Sequence, residues 1–203
     1  MNKILISLIL TAFFAVSCQK EDNKTATQDS RQQTNKTRQD SSRENTSQTK
    51  TGGLQITSTA FINEGMIPKK YACNGDNVSP PLSWSGIPAG TKSLALIVLD
   101  PDAPSGDFVH WVMYNIPPDV KELKEDTPKD KKLSNGAMQG LNGDNKTGFS
   151  GPCPPSGTHR YFFNLYALDI IPDVSGDVTK DKLLGAIKGH VLTMSQLMGK
   201  YSK

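Results

Sequence analysis

Cysteine, histidine and excess charge are scarce in this sequence, and each scarcity disfavours a class of function. The 203 residues contain three cysteines and three histidines. Neither Cys73 nor Cys153 has another cysteine two to four residues away, which disfavours a structural zinc site. Residues 54–203 hold 15 Lys+Arg and 15 Asp+Glu, so the net charge of +3 comes from the first 53 residues. A basic surface for nucleic acid is therefore not indicated.

Long apolar runs are also scarce, and the clearest one opens the chain. Residues 1–18, "MNKILISLILTAFFAVSC", place an apolar run after Lys3. The run is short for a membrane span and ends in small residues before Cys18, as a secretory signal does. The ending "AVSC" resembles the lipobox of bacterial lipoproteins, which implies cleavage before Cys18 and a lipid on that cysteine. The alternative is an ordinary signal peptide with an incidental cysteine.

Apolar side chains are nearly absent from residues 19–53, where Ala26 is the only one. Such a segment cannot bury enough surface to offset ordering entropy, so we predict a disordered polar tether. Its start, "CQKED", resembles a surface-export signal of some Gram-negative lipoproteins. The predicted location is therefore the bacterial cell envelope, with lipid anchoring to a membrane, at the outer membrane or the cell surface. Residues 54–203 form the predicted folded domain.

The remaining two cysteines, Cys73 and Cys153, are expected to meet an oxidising compartment after export. A disulfide between them is the default expectation for an exported domain. Their spacing alone does not show that they meet, so two separate buried thiols are the alternative.

The hydrophobic pattern predicts a mainly β domain. Strands are indicated by "LQITS" (54–58), "SLALIVLD" (93–100), "FVHWVMYNIP" (108–117) and "RYFFNLYALD" (160–169). Residues 179–201 have apolar side chains at helical spacing, which predicts one C-terminal helix capped by Thr179. Successive strands followed by a helix favour a β domain over alternating βαβ units.

Four chemically active side chains are expected to cluster. Asp100 ends one predicted strand, whereas His110, His159 and Tyr161 stand near the start of two others. Antiparallel pairing brings the start of one strand beside the end of its neighbour, so the four side chains can meet at one edge of a sheet.

Strict alternation along "FVHWVMYN" (108–115) makes a further prediction about faces. It puts His110, Val112 and Tyr114 on one face of the sheet, and Trp111 and Met113 on the other.

The loop "GFSGPCPPSGTH", which precedes the strand of His159, is rich in glycine and proline. Gly148, Gly151 and Gly157 allow close backbone approach, and exposed N–H groups in such a loop can make an anion-accepting concavity. Neutral imidazoles and the Tyr161 phenol could donate to the same anion. The predicted site is a small oxyanion pocket; the alternative is that the histidines are satisfied core residues.

At these residues the sequence resembles a known family. "DPDAP", "HWVMYNIP" and "GPCPPSGTHRYFF" resemble the two signature regions of the phosphatidylethanolamine-binding protein family. "YACNGDNVSPPLSWSGIPAGTKSLALIVLDPDAP" resembles its bacterial branch, the Raf kinase inhibitor-like proteins. The resemblance implies a central antiparallel sheet packed against a smaller sheet, with a C-terminal helix near the pocket. It also implies a metal-free, cofactor-free pocket for phosphate, acetate or a phosphoryl head group.

The family's pocket residues carry over to this sequence by motif. The ligand-binding set implied by the resemblance is Asp100, His110, Gly151, Pro154, His159 and Tyr161. The implied pocket wall is Asp102 and Pro104, with Trp111 packed behind it. The chain departs from the bacterial pattern in "GLNGDNKTGFSG", where Gly143 intervenes and Phe149 takes the place of a tyrosine.

Three functions compete: a binding module without turnover, a regulator of another protein, and an enzyme. Ser150 and Ser156 lie near His159 in sequence, but the chain has no G-x-S-x-G nucleophile motif. Two histidines and an aspartate could instead bind zinc. We predict a binding protein that is not an enzyme and that is able to regulate a protein partner. The alternative is a metal-dependent or serine-based hydrolase using the same histidines.

Overall fold

The structure is a computed structural model that describes residues 53–203. The predicted signal segment, the predicted lipidation site Cys18 and the predicted tether up to residue 52 lie outside the described residues. Within residues 53–203, no helix is both long enough and apolar enough to cross a membrane.

The described chain contains eight strands, one α-helix and a short 3-10 helix at Lys69–Tyr71. In chain order they are β1 (Gln55–Thr57), β2 (Leu82–Ser85), β3 (Ser93–Asp100), β4 (Phe108–Ile116), β5 (Glu122–Leu123), β6 (Met138–Gln139), β7 (Thr158–Leu168), α1 (Lys180–Ile187) and β8 (Val191–Ser202). The strands form a five-stranded sheet in the order β6-β4-β3-β7-β8 and a three-stranded sheet in the order β1-β2-β5. All these pairings are antiparallel.

The main core lies between the two sheets. Ile56 and Trp84 from the smaller sheet share a buried cluster with Leu96, Trp111 and Phe163 from the larger one. The predicted fold class, a central antiparallel sheet packed against a smaller sheet, is confirmed.

A second core lies on the opposite face of the larger sheet, where α1 covers it. Leu183 and Ile187 of α1 pack in one buried cluster with Ile97 and Val112. Strand β3 contributes side chains to both cores and is buried nearly throughout. Burial on both faces explains why "SLALIVLD" is a continuous apolar run, not an alternating one.

The predicted helix over residues 179–201 is correct only in its first part. Helix α1 begins after the Thr179 cap, whose side chain accepts from the Lys182 amide, and ends at Ile187. Gly189 then adopts a φ of +83°, which favours glycine, and the chain continues as β8, paired along β7. The buried positions of β8 alternate at Leu197, Gly199 and Tyr201, so pairing with β7 overrides the weak helical spacing.

Candidate functional site

A β-bulge at His110 positions this histidine. Val98 of β3 pairs with Trp111 of β4, but the next residue, Leu99, pairs with Val109. His110 is therefore an extra residue on β4, unpaired with β3. Bulges of this kind redirect a side chain and are frequent beside functional sites.

The bulge corrects the face predicted for His110. Val112 and Tyr114 pack in the core under α1. His110 instead lies on the other face, beside Tyr161. The centroids of the two rings are 5.1 Å apart, and the ring planes are nearly perpendicular. The prediction that His110 shares a face with Val112 and Tyr114 was wrong because strict alternation does not hold through a bulge.

The end of β3 and the start of β7 bring Asp100 and His159 together. The Nδ1 atom of His159 lies 2.7 Å from Oδ2 of Asp100. The other carboxylate oxygen accepts from the Asp102 amide at 2.8 Å. Asp100 is 4% exposed and His159 8% exposed, so this pair is held away from bulk water. Both oxygens of Asp100 accept hydrogen bonds, which fixes the orientation of the carboxylate and, through it, of the His159 imidazole.

His110 is anchored by the backbone of the loop before β7. Its Nδ1 atom lies 2.6 Å from the carbonyl oxygen of Ser150. The Ser150 amide donates in turn to the His110 carbonyl at 2.9 Å. Because a carbonyl oxygen only accepts, the Nδ1 atom carries the hydrogen. Burial lowers the pKa of His110, which favours the neutral ring.

Tyr161 contributes a buried phenol beside this group. It is 1% exposed, and its hydroxyl lies beside Asp100 and the Cys153 backbone without making a hydrogen bond of good geometry to either. Burial raises the pKa of Tyr161, and the negative charge of Asp100 raises it further. The phenol therefore stays protonated.

A cavity of about 450 Å³ opens over the two histidines. Of the predicted site residues, Asp100, Pro104, His110, Gly151 and His159 line it. The remaining lining residues are Cys73, Asn77, Ala103, Phe108, Asp144, Ser150, Cys153 and Pro155. The resemblance implied a helix near the pocket, but no residue of α1 lines this cavity.

Four of the predicted site residues do not line the cavity, namely Asp102, Trp111, Pro154 and Tyr161. Asp102 is engaged by Arg160, whose Nε donates to Oδ2 at 2.9 Å and whose Nη2 donates to Oδ1 at 2.7 Å. These bonds lower the pKa of Asp102 to about 2. Trp111 is fully buried, and its indole N–H donates to Gln139 at 2.6 Å. Asp102 thus ties β7 to the turn after β3, and Trp111 supports the sheet from the core.

Gly151 lines the cavity, but its amide is already used. The Gly151 N–H donates to Oδ1 of Asn77 at 2.8 Å. A Cβ atom at this position would stand 2.3 Å from the carbonyl oxygen of Tyr71. Close approach of two backbone segments therefore requires glycine here, and the predicted donation from this amide to an anion has no support.

The predicted disulfide is present and closes one wall of the cavity. Cys73 and Cys153 are bonded, with Cα atoms 5.4 Å apart and a sequence separation of 80 residues. The Cys73 amide also donates to the Pro152 carbonyl at 3.0 Å. The alternative of two separate thiols was wrong.

Several lining residues were not predicted from the sequence, and Phe108 is the most informative. Phe108 pairs with Asp100 across β3 and β4, and its ring lies 4.8 Å from that of His110. A Cβ atom at position 143 would stand 2.6 Å from the Phe108 ring, so the ring fits here because residue 143 is glycine. The departure from the bacterial pattern at Gly143 was the sequence feature that could have indicated a bulky neighbour such as Phe108.

The hydrolase alternative has no support in the described part of the chain. Residues 53–203 contain no group of three or more His, Cys, Asp or Glu side chains arranged to hold a metal ion. The Ser150 hydroxyl donates to Asp144 at 2.8 Å and so lacks the histidine base that an activated serine needs.

Comparisons with known proteins agree with this fold. A family model described as phosphatidylethanolamine-binding protein matches residues 57–202. A UPF0098 protein of Methanothermobacter thermautotrophicus is 49% identical over 150 residues, covering 74% of this chain and 99% of its own length. A UPF0098 protein of Chlamydia trachomatis is 44% identical, with coverages of 74% and 99%.

Two solved structures are similar over nearly their whole length. One is a phosphatidylethanolamine-binding protein homologue from Chlamydia trachomatis, with a TM-score of 0.69, 44% identity and coverage of 74% of this chain and 98% of that one. The other is Escherichia coli YbcL, described as a new member of the mammalian family, with a TM-score of 0.70, 33% identity and coverages of 75% and 99%.

Proposed function

The chain belongs to the phosphatidylethanolamine-binding protein family, a ligand-binding family, and from this premise we propose that it binds small oxyanions without chemical turnover. The observation that carries the proposal is the cavity of about 450 Å³ built on His110 and on the buried Asp100–His159 pair. Its volume lies in the usual range for small-molecule pockets, roughly 300–1,000 Å³. The sequence motifs favour the Raf kinase inhibitor-like branch of the family.

The polar groups of the cavity support a ligand of this kind. The Tyr161 hydroxyl is not among them, because it is buried beside Asp100 and outside the cavity lining. The imidazoles of His110 and His159 each use Nδ1 within the protein, which leaves Nε2 for a ligand. A phosphate, carboxylate or phosphoryl head group in the cavity could contact both Nε2 atoms.

The proposed setting is the bacterial cell envelope. We propose that a lipid on Cys18 anchors the domain to a membrane, at the outer membrane or cell surface, through the polar segment 19–53. The motif "AVSC" and the Cys73–Cys153 disulfide, which suits an oxidising compartment, support this location.

A second candidate function, regulation of a partner protein, is favoured by one observation. Val191, Leu192 and Met194 of β8 are 42–48% exposed, although they are large apolar side chains. Leu192→Lys should abolish cross-linking to such a partner and leave anion binding unchanged.

Calorimetric titration of inorganic phosphate and phosphoethanolamine into the purified full chain, with metal analysis of the same sample, tests the main proposal. We expect one anion to bind per chain without stoichiometric zinc. No binding of either anion, or stoichiometric zinc, would contradict it.

A further inference from the structure

Both histidines of the cavity give their Nδ1 hydrogen to the protein. His110 donates to the Ser150 carbonyl at 2.6 Å, and His159 donates to Asp100 at 2.7 Å. A neutral imidazole has one N–H and one lone pair, so each neutral ring offers a ligand only the lone pair of Nε2. The expectation that neutral histidines donate to an anion was therefore wrong for this geometry.

The charge of the cavity lining also disfavours a ligand that has lost all its acidic hydrogens. Among the described residues, its lining contains two carboxylates, Asp100 and Asp144, and neither lysine nor arginine. A fully deprotonated anion placed here would meet these carboxylates and the lone pair of a neutral His110 in a partly buried site, where charge repulsion is stronger than in water.

The surroundings of His110 favour its neutral ring in the absence of ligand. Asp100 from β3, His159 and Tyr161 from β7, and Asp144 and the Ser150 carbonyl from the loop before β7 are the charged and polar groups that face it. Burial is the main influence on its pKa and acts against the charged ring, although the two carboxylates act in its favour.

We propose that the pocket selects oxyanions that carry an acidic hydrogen, which makes phosphomonoesters its ligand class and disfavours sulfate and phosphodiesters. This inference rests on the proposed anion-binding function. The acidic O–H of the ligand donates to Nε2 of His110, whose ring lines the cavity. No covalent bond breaks. The hydrogen is shared between the ligand oxygen and Nε2, so the complex holds one proton that the ligand dianion lacks.

A pH dependence follows from this proton. The second pKa of a phosphomonoester is about 6, so the O–H is present below that pH and lost above it. Because the complex retains the proton, binding weakens as the pH rises above about 6, approaching tenfold per pH unit. A phosphodiester, such as the head group of an intact phospholipid, has no such hydrogen at any pH near neutrality.

Two isomers provide the sharpest test. Ethyl phosphate and dimethyl phosphate have the same atoms and, at pH 5, the same single negative charge, but only ethyl phosphate has an acidic O–H. Calorimetric titration of each into the full chain should show ethyl phosphate binding roughly ten- to hundredfold more tightly. Equal affinities would overturn the inference and leave the proposed function standing. If neither isomer binds, the proposed function fails as well.

Matched variants connect the selectivity to His110. His110→Leu should remove the preference for ethyl phosphate, whereas His190→Leu, at a half-exposed histidine outside the cavity, should retain it. Preference retained in a folded His110→Leu protein would contradict the assignment of the acceptor. Should that variant fail to fold, ethyl phosphate can be titrated into the wild type at pH 7 in two buffers of different ionisation enthalpy. We expect uptake of about one proton per ligand, and uptake of none would overturn the inference.

Discussion

Asp100 and His159 lie 59 residues apart in the chain and meet through a 2.7 Å hydrogen bond between Oδ2 and Nδ1. The Asp102 amide holds the second oxygen of the same carboxylate. The bond sets the orientation of the imidazole and determines which of its nitrogens is left for a ligand. Both the proposed binding function and its selectivity depend on this pair.

Replacing Asp100 should therefore change which anions bind. Asp100→Asn removes a negative charge from the cavity and allows the His159 tautomer that donates from Nε2. We expect the affinity for sulfate at pH 7.5 to rise by roughly tenfold, measured by calorimetry. Asp169→Asn is the matched control, because Asp169 pairs with the half-exposed His190 outside the cavity. A sulfate affinity unchanged in Asp100→Asn would count against a repulsive role for this carboxylate.

Reduction of the Cys73–Cys153 disulfide should weaken both stability and binding. Opening a loop closed over 80 residues removes about 4.5 kcal/mol of stabilisation on the chain-entropy model. We expect the melting temperature to fall by about 10–15 °C and phosphate to bind more weakly, because both cysteines line the cavity. Calorimetric melting with and without reductant measures the effect. The double variant Cys73→Ser/Cys153→Ser should not respond to reductant, and a wild type equally indifferent to it would refute the prediction.

Adding one methyl group at Gly151 should destabilise the fold. The new Cβ of Gly151→Ala would stand 2.3 Å from the Tyr71 carbonyl oxygen, so two backbone segments must separate, at a cost of about 1–3 kcal/mol. Gly185→Ala is the control, since nothing lies within 4 Å of its Cβ and the residue is inside α1. Urea unfolding should show that the control is more stable than the wild type by about 0.5–1 kcal/mol. Similar stability of the two variants would contradict the close approach at Gly151.

Lipid attachment at Cys18 is tested separately from the fold. Cells grown with a fatty-acid probe should label the wild-type chain and leave Cys18→Ala unlabelled, because the thiol of Cys18 is the proposed attachment point. Cys73→Ser/Cys153→Ser controls for the loss of other cysteines and should label like the wild type. Equal labelling of wild type and Cys18→Ala would end the proposal of an anchor at this residue.

Much of the fold could be predicted because its signals are local. The run "SLALIVLD" and the alternation in "RYFFNLYALD" gave strands that the structure contains as β3 and β7. Antiparallel pairing then brings Asp100 and His159 together without any knowledge of distant contacts.

The errors arose where tertiary structure overrides a local pattern. Residues 191–202 have helical spacing but pair with β7 as a strand. His110 reaches the site through a bulge, which depends on the register between β3 and β4 and not on the sequence of β4 alone. The amide of Gly151 is used by Asn77, 74 residues earlier in the chain, a contact that no local pattern indicates.

The most direct measurement compares two histidine–aspartate pairs in the same protein. His159 Nδ1 lies 2.7 Å from Asp100 in the cavity, and His190 Nδ1 lies 2.9 Å from Asp169 at the surface. Inorganic phosphate is titrated at pH 6 into the wild type, His159→Ala and His190→Ala, with melting temperatures recorded to show that each is folded. We predict roughly ten- to hundredfold weaker binding for His159→Ala and unchanged binding for His190→Ala. Wild-type affinity in a folded His159→Ala protein would contradict the proposed anion site.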